Sequence, residues 1–422
     1  MPGVVNRPAA HQLYHRIMMP SLRQLATALS LAVAMTGPAL AQPAIRDSAG
    51  VRIVTNTAPR SSQPLYRIDP MPLVDLGTAG AEDEFAPPVF SLRLHDGRIV
   101  VATGGTELRF YDAKGKKLRS FGRKGGGPGE FQRIQFLGVM VGDTIVAFDA
   151  GTRRLTVVSP GGGLVRTLPL ANPSRRLVAG LLPGGRILAG SMGADGTDPK
   201  SGMMRDTTPY LVLGPRGDSV SAVGRFAGRE AMIQVARANG RIRSMTVSTI
   251  EFGRTGYLGV DDSVVVAAPA DRFEILRYSQ AGRLLTSMSR PFRPEAPTSG
   301  DLEFLIDRQI RSLPPGQAGA ADNVRRSMKA TPLPKTKPPY DAMLVRSNGE
   351  IWVRDYLGPY SRDRAGRWSV FDRTGVWITT VETPAGLEPQ VIGADFLLGY
   401  WLDSDDLPHV RLYRLTPAGR AQ

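Results

Sequence analysis

The sequence predicts an all-β fold made of six similar units, and two observations lead to this prediction. The first is that six stretches of alternating apolar residues each run into a four-residue turn ending in glycine. These turns are Asp112–Gly115, Ser159–Gly162, Gly214–Gly217, Ser279–Gly282, Asp372–Gly375 and Thr416–Gly419. An Asp, Ser or Thr at the first position hydrogen-bonds the turn backbone, and a final glycine tolerates positive φ. Each turn is therefore expected to join two antiparallel strands.

The second observation concerns the two ends of this repeat. Only three residues follow Gly419, so the last hairpin lacks its second strand. Near the N-terminus, Pro72–Gly77 runs into Glu84-Phe85 much as Lys117–Gly122 runs into Glu130-Phe131, which predicts an outer strand without a preceding partner. Pairing the two ends closes a ring and removes exposed sheet edges. The expected fold is a six-bladed β-propeller at residues 65–419, closed by an N-terminal strand.

The individual blades follow from the spacing of glycines and β-rich runs. Gly77 and Gly122, like Gly97 and Gly142, are 45 residues apart, which is the period of a four-stranded blade. Blades are expected at about 89–121, 134–170, 177–223, 255–289, 341–381 and 388–415.

The interval between the fourth and fifth blades is too long for a turn. Residues 291–339 are predicted to form a helical and proline-rich insertion. Thr298 and Asp301 form a capping signal, and apolar residues recur at helical spacing from Leu302 to Leu313. The insertion either covers one rim of the ring, which we favour, or forms a lid.

The N-terminus predicts export. Arg23 precedes the apolar run Leu25–Met35 and small residues up to Ala41, so residues 1–41 read as a signal peptide and 42–64 as an N-terminal segment. An uncleaved anchor is the alternative, but a largely apolar run of eleven residues is shorter than the roughly 20 residues that span a bilayer. We expect a periplasmic or extracellular monomer with no transmembrane segment in the mature chain.

Composition limits the possible chemistry. The chain has no cysteine and four histidines, of which only His95 and His409 follow the leader. This composition excludes disulfides, thiolate nucleophiles and histidine-rich zinc sites. With only two histidines after the leader, the residues for a Ser-His-Asp triad are also not all recognisable in the sequence. The net charge is +15, and it remains +12 without the three arginines of the leader. Such a charge favours anionic partners.

The pattern resembles the NHL-like six-bladed propellers, in particular secreted bacterial propeller proteins. The resemblance rests on Asp47–Val54, on the glycine-rich stretch Phe121–Phe131 and on the corner Asp149–Leu155. It implies a fold more than a function, because most such proteins have no assigned activity.

Several segments are weak candidates for catalysis or metal binding. Ser191 lies in a sequence that approaches a nucleophile elbow but lacks its first glycine and following helix. The loop Gly125–Glu130 lacks the ending of a phosphate loop, so we interpret it as a connector in which Glu130 caps amides or pairs with an arginine. The acidic loops Asp195–Asp198 and Asp403–Asp406 do not match a calcium loop. No cofactor is expected. The alternative is a calcium-dependent hydrolase or lactonase with an axial carboxylate-bound metal, as in the similar gluconolactonase-like propellers.

Two long connectors provide the positive indication of function. Residues 224–255 and 290–340 each carry a net charge of +4. The expected ligand-binding residues form a basic rim: Arg225, Arg229, Arg237, Arg241, Arg243, Arg308, Arg311, Arg325 and Arg326. Guanidinium groups suit carboxylates and phosphates. The sequence thus favours a non-enzymatic binding module for an anionic glycan, lipid head group or acidic protein, and disfavours nucleic acid as a partner.

Overall fold

The fold was analysed in a computed structural model, which describes residues 42–77, 80, 83–170, 175–192, 200–314 and 316–418. The predicted signal peptide, Gly419 and the loop Asp195–Asp198 lie outside these residues. The described chain is all-β and propeller-like, with six sheets and two helices.

The first two sheets are four-stranded antiparallel meanders. Their strands are β5 (Phe90–Arg93), β6 (Ile99–Thr103), β7 (Glu107–Tyr111) and β8 (Lys117–Phe121), then β9 (Ile134–Met140), β10 (Thr144–Asp149), β11 (Arg154–Val158) and β12 (Leu164–Pro169). Before them come β1 (Ala44–Ser48), β2 (Val51–Thr55), β3 (Tyr66–Ile68) and β4 (Val74–Leu76).

The third sheet has five strands and the fourth has four of its own. They comprise β13 (Arg175–Leu182), β14 (Arg186–Met192), β15 (Gly202–Leu213), β16 (Ser219–Ala238) and β17 (Arg241–Thr249), then β18 (Tyr257–Asp261), β19 (Val264–Ala268), β20 (Glu274–Ser279) and β21 (Leu284–Ser289). Two helices follow, α1 (Ser299–Arg311) and α2 (Ala321–Ala330). Thr298 is the N-cap of α1 and forms a capping box with Asp301.

The last two sheets bring the ends of the described chain together. Their strands are β22 (Tyr340–Val345), β23 (Ile351–Asp355), β24 (Gly366–Phe371) and β25 (Trp377–Thr383), then β26 (Glu388–Ile392), β27 (Phe396–Leu402) and β28 (Pro408–Pro417). β28 pairs antiparallel with β4, with Arg411 opposite Asp75, and with β3, with Thr416 opposite Arg67. An N-terminal strand thus completes the last sheet, as the interrupted sixth hairpin predicts.

The six sheets pack side by side around a centre. The first strands β5, β9, β13, β18, β22 and β26 contact one another in a closed ring, and each of six apolar clusters lies between two successive sheets. Three glycines on these strands allow the close approach. A Cβ on Gly138, Gly180 or Gly259 would lie within 2.9 Å of a side chain on the next first strand.

Five of the predicted turns lie within the described residues, and each joins the third and fourth strands of a sheet. The final glycines Gly115, Gly162, Gly217, Gly282 and Gly375 all have positive φ, from 76° to 92°. In the first and fifth turns, a side-chain oxygen of Asp112 or Asp372 accepts backbone amides of its own turn. The predicted role of the first turn residue, as an acceptor for the turn backbone, is therefore confirmed for Asp112 and Asp372.

The N-terminal segment forms more structure than the sequence predicts. β2 pairs in parallel with β21, with β1 outside it, so the fourth sheet becomes six-stranded. The buried Asn56 then donates to the carbonyls of Ser289 and Gly375 and accepts from the amide of Trp377. This segment therefore ties the fourth sheet to the fifth.

Candidate functional site

The connector 224–255 is mostly β-strand. The third sheet was expected to end at residue 223, but β16 continues to Ala238. β15 and β16 continue outward, and β16 turns through Asn239-Gly240 into β17. Asn239 and Gly240 have φ of 50° and 72°, the two positive values that a type I′ hairpin requires. The Asn-Gly pair between β-rich runs was the sequence signal for this hairpin. We call residues 231–249 the basic arm.

Ion pairs and hydrogen bonds anchor the base of the basic arm. Arg205 Nη1 lies 2.8 Å from Asp271 of the fourth sheet, and its Nε donates to the carbonyl of Gly228. Arg254 pairs with the same Asp271 at 3.2 Å, and its amide donates to the carboxylate of Glu230. The arm therefore projects from an anchored base.

The surface of the basic arm is both cationic and apolar. Arg237, Arg241 and Arg243 are exposed, and no Asp or Glu occurs from residue 231 to 250. Met245 and Val247 on β17 are each 53% exposed. All nine residues of β17 are exposed. The arm thus presents arginines and apolar side chains that the rest of the described chain does not cover.

The remaining expected rim residues lie in two different settings. Arg225 donates to Thr207 at the arm's base, and Arg229 is exposed beside it. On α1, Arg308 donates to the carbonyl of Pro359 at 2.6 Å, whereas Arg311 is exposed.

The arginines of α2 make local contacts. Arg325 lies 3.6 Å from Asp307 of α1, and Arg326 donates to the side chain of Asn323. Lys329 likewise lies 2.6 Å from Glu303. The helical group of the predicted rim is thus largely engaged within the chain.

A cavity of about 370 Å³ borders α1 at Asp301. Its aromatic lining is Phe252, Phe292, Tyr356 and Tyr360, and its charged lining is Arg290, Arg293, Lys337, Arg364, Glu295, Asp301 and Asp355. Arg290 pairs with Asp355 and lies 3.7 Å from the ring centroid of Phe273, while Arg364 lies over Tyr360. Much of the charge in this cavity is therefore balanced internally.

Asp301 is the hub of this cavity wall. It is 5% exposed and accepts from Thr298, from Tyr360 Oη at 2.9 Å and from Lys337 Nζ at 2.7 Å. Burial alone would raise the pKa of Asp301, but the bonds from Lys337 and Thr298 outweigh it and hold that pKa well below its usual range. The carboxylate is therefore ionised and structural.

Two further carboxylates lie at the start of first strands. Arg354 bridges Asp341 and Glu388, at 2.7 Å from each. Burial raises the pKa of Glu388, and the Arg354 guanidinium opposes this effect. An arginine thus already occupies the position between these two acids.

The weaker candidates of the sequence analysis take structural positions. Glu130 both accepts from the amide of Gly127 and pairs with Arg123, as predicted. His95 contacts Asp143 at the surface, and the buried His409 lies 2.7 Å from Asp75 on the closing strand. Asp403 accepts amides of its own turn.

Within the described ranges, no three carboxylate or histidine side chains converge as a metal site would require. Among these residues, none of the helices has the length and apolar content needed to cross a bilayer.

No family model matches the chain, and no curated protein matches it in sequence. Similar solved structures include a putative exported protein from Bacteroides fragilis (12% identity, 86% of this chain and 99% of that chain, TM-score 0.48). A duf4221 family member from Bacteroides vulgatus shows 8% identity over 85% of this chain and 100% of that chain, with a TM-score of 0.46. Virginiamycin B lyase from Staphylococcus aureus shows 10% identity over 83% and 99%, with a TM-score of 0.39. These likenesses carry no conclusion about function.

Proposed function

We propose that this chain is an exported, NHL-like six-bladed propeller that acts as a binding protein, and that its basic arm recognises an anionic ligand. The six sheets around a ring of first strands support the blade number. The apolar leader within residues 1–41 supports export to the periplasm or beyond.

The exposure of the arm arginines is the observation that carries the proposal. Arg241 and Arg243 lie in a strand that is exposed at every residue, with no carboxylate from residue 231 to 250. On the helices, by contrast, Arg325 and Lys329 already lie against acids. A guanidinium group that is available to solvent forms charge-assisted hydrogen bonds with carboxylate, sulfate or phosphate.

Retention on immobilised heparin tests the arm as an anion-binding surface. The mature protein is expected to bind at about 0.15 M salt, where exposed charges still interact over roughly 8 Å. The triple variant Arg237→Glu, Arg241→Glu and Arg243→Glu is expected to flow through the column.

A charge-matched control separates the arm from the overall charge. Lys114→Glu, Arg166→Glu and Arg216→Glu change the net charge equally at exposed positions of the first three sheets. This control is expected to keep most of the retention. If both triple variants lose it equally, the arm has no special role and the proposal fails.

A further inference from the structure

The outer edge of the basic arm is a free strand edge. β17 is the last strand of the third sheet and pairs only with β16 among the described residues. Alternate residues of an edge strand direct their N–H and C=O groups away from the sheet. The regular stretch of six residues, 244–249, therefore offers a template for one more strand.

Proteins usually protect such edges, and β17 lacks most of the usual protection. It contains no proline and no lysine, and among the described residues no helix covers it. Its pairing with β16 is continuous from Ser244 to Thr249, and the register shift lies near the turn, where Arg243 is the extra residue. A regular, uncovered stretch of this length is suited to receiving a partner strand.

The side chains of β17 define which partner fits. The register shift leaves Arg243 as an extra residue in β17, so the alternation of faces is interrupted there. Met245 and Val247 share one face of the regular part of the strand, and Arg241 lies on the opposite face near the turn. An acidic end of an added strand would lie near the two arginines at the turn end of β17, and apolar residues farther along would lie beside Met245 and Val247. Cross-strand pairs of opposite charge and of apolar side chains are both favourable.

We infer that β17 binds an extended, acidic segment of another protein by strand addition. This inference rests on the proposed function and narrows its ligand to one class. A second copy of the chain fits the edge less well, since residues 231–250 contain no acid that could pair with Arg241 and Arg243. An acidic segment supplies such pairs, and cross-strand pairs of opposite charge are favourable.

Synthetic peptides test the strand addition on the mature protein. The probe is a capped nine-residue peptide with glutamates in the half that lies beside Arg241 and Arg243, and with alternating valines and threonines in the half beside Met245 and Val247. The matched peptide replaces two threonines by proline, which keeps the charge but removes amide donors. We expect the probe to bind at least about tenfold more tightly than the proline peptide, a difference of the size that a few hydrogen bonds give. Hydrogen exchange should show protection at residues 241–249.

Charge exchange supplies a second readout. The double variant Arg241→Glu, Arg243→Glu should no longer bind the acidic peptide. It should instead bind a peptide in which lysines replace the glutamates. Equal binding of the probe and the proline peptide, or binding without protection of β17, would overturn strand addition while leaving the arm as an anion-binding surface. If heparin and both peptides all fail to bind, the proposed function fails with it.

Discussion

The two basic connectors carry the same net charge, +4 over residues 224–255 and +4 over 290–340, but they use their cations differently. In the helical connector, Lys337 and Arg325 contact the acids Asp301 and Asp307. In the arm, the arginines at the tip have no acid within the same hairpin. Net charge therefore does not distinguish the two connectors, whereas the position of the acids within each connector does.

The two regions should also differ in what they contribute to stability. The helical connector buries Asp301, Leu305 and Ile306, whereas β17 buries no residue. Buried contacts dominate the cost of mutation, and exposed strands contribute little. We therefore expect the helical connector to stabilise the fold and the arm to be available for binding.

The largest effect is expected from Asp301→Ala. It removes the carboxylate that accepts from the amide and hydroxyl of Thr298, and it leaves Lys337 and Tyr360 without this acceptor. The free energy of unfolding should fall by about 3 kcal/mol, measured by chemical denaturation. Thr298→Ala, which removes only the cap, should cost about 1 kcal/mol. Equal losses in the two variants would contradict the role of Asp301 as a hub, and heparin retention should not change in either.

The same carboxyl predicts a pH dependence. The pKa of Asp301 is lower in the folded chain than its ordinary value, so the unfolded chain binds more protons at that group. Its stabilising contribution is complete above the unfolded pKa of about 3.9 and is lost as pH falls below that value. Denaturation of the wild type and Asp301→Asn should give a clear stability difference at pH 7 that shrinks near pH 2.5. A stability difference that stays constant from pH 7 to about pH 2.5 would contradict the lowered pKa of Asp301 in the folded chain.

Shortening the arm should have a smaller effect on stability. Gln234 pairs with Thr246, so residues 235–245 can be replaced by Asn-Gly, the turn that closes a two-residue hairpin. The free energy of unfolding should change by less than about 1 kcal/mol, while heparin retention is lost. A loss of several kcal/mol would show that the arm supports the fold and would remove the contrast between the two regions.

Much of the fold could be predicted from the sequence because turn chemistry is local. A turn such as Asp112–Gly115 needs only its own residues to form, and the incomplete last hairpin indicates that its partner comes from elsewhere. The pairing of β2 with β21 was missed, since Arg52 and Thr286 are distant in sequence and nothing nearby specifies the contact.

The contacts of the candidate site are less predictable from the sequence than the fold is. The arginines were identified, but sequence alone did not show that Arg308 reaches Pro359 or that Lys329 reaches Glu303. Those contacts depend on how the helices pack. The hairpin turn at Asn239-Gly240 could have been recognised and would have separated the arm from the helical connector in advance.

The smallest effect is expected where the two regions meet, at Glu251. Burial raises the pKa of Glu251, and the charge of Arg308 on α1 partly opposes this. A group whose folded pKa is raised gives its full stabilisation below its unfolded pKa, about 4.3, and loses it as pH rises through the folded value. Glu251→Gln should therefore stabilise the protein slightly at pH 7 and not at pH 4. The gain should be larger when Arg308→Gln is also present, because the opposing cation is gone. If a double-mutant cycle measured by chemical denaturation shows no coupling, the base of the arm and the helical connector are energetically independent.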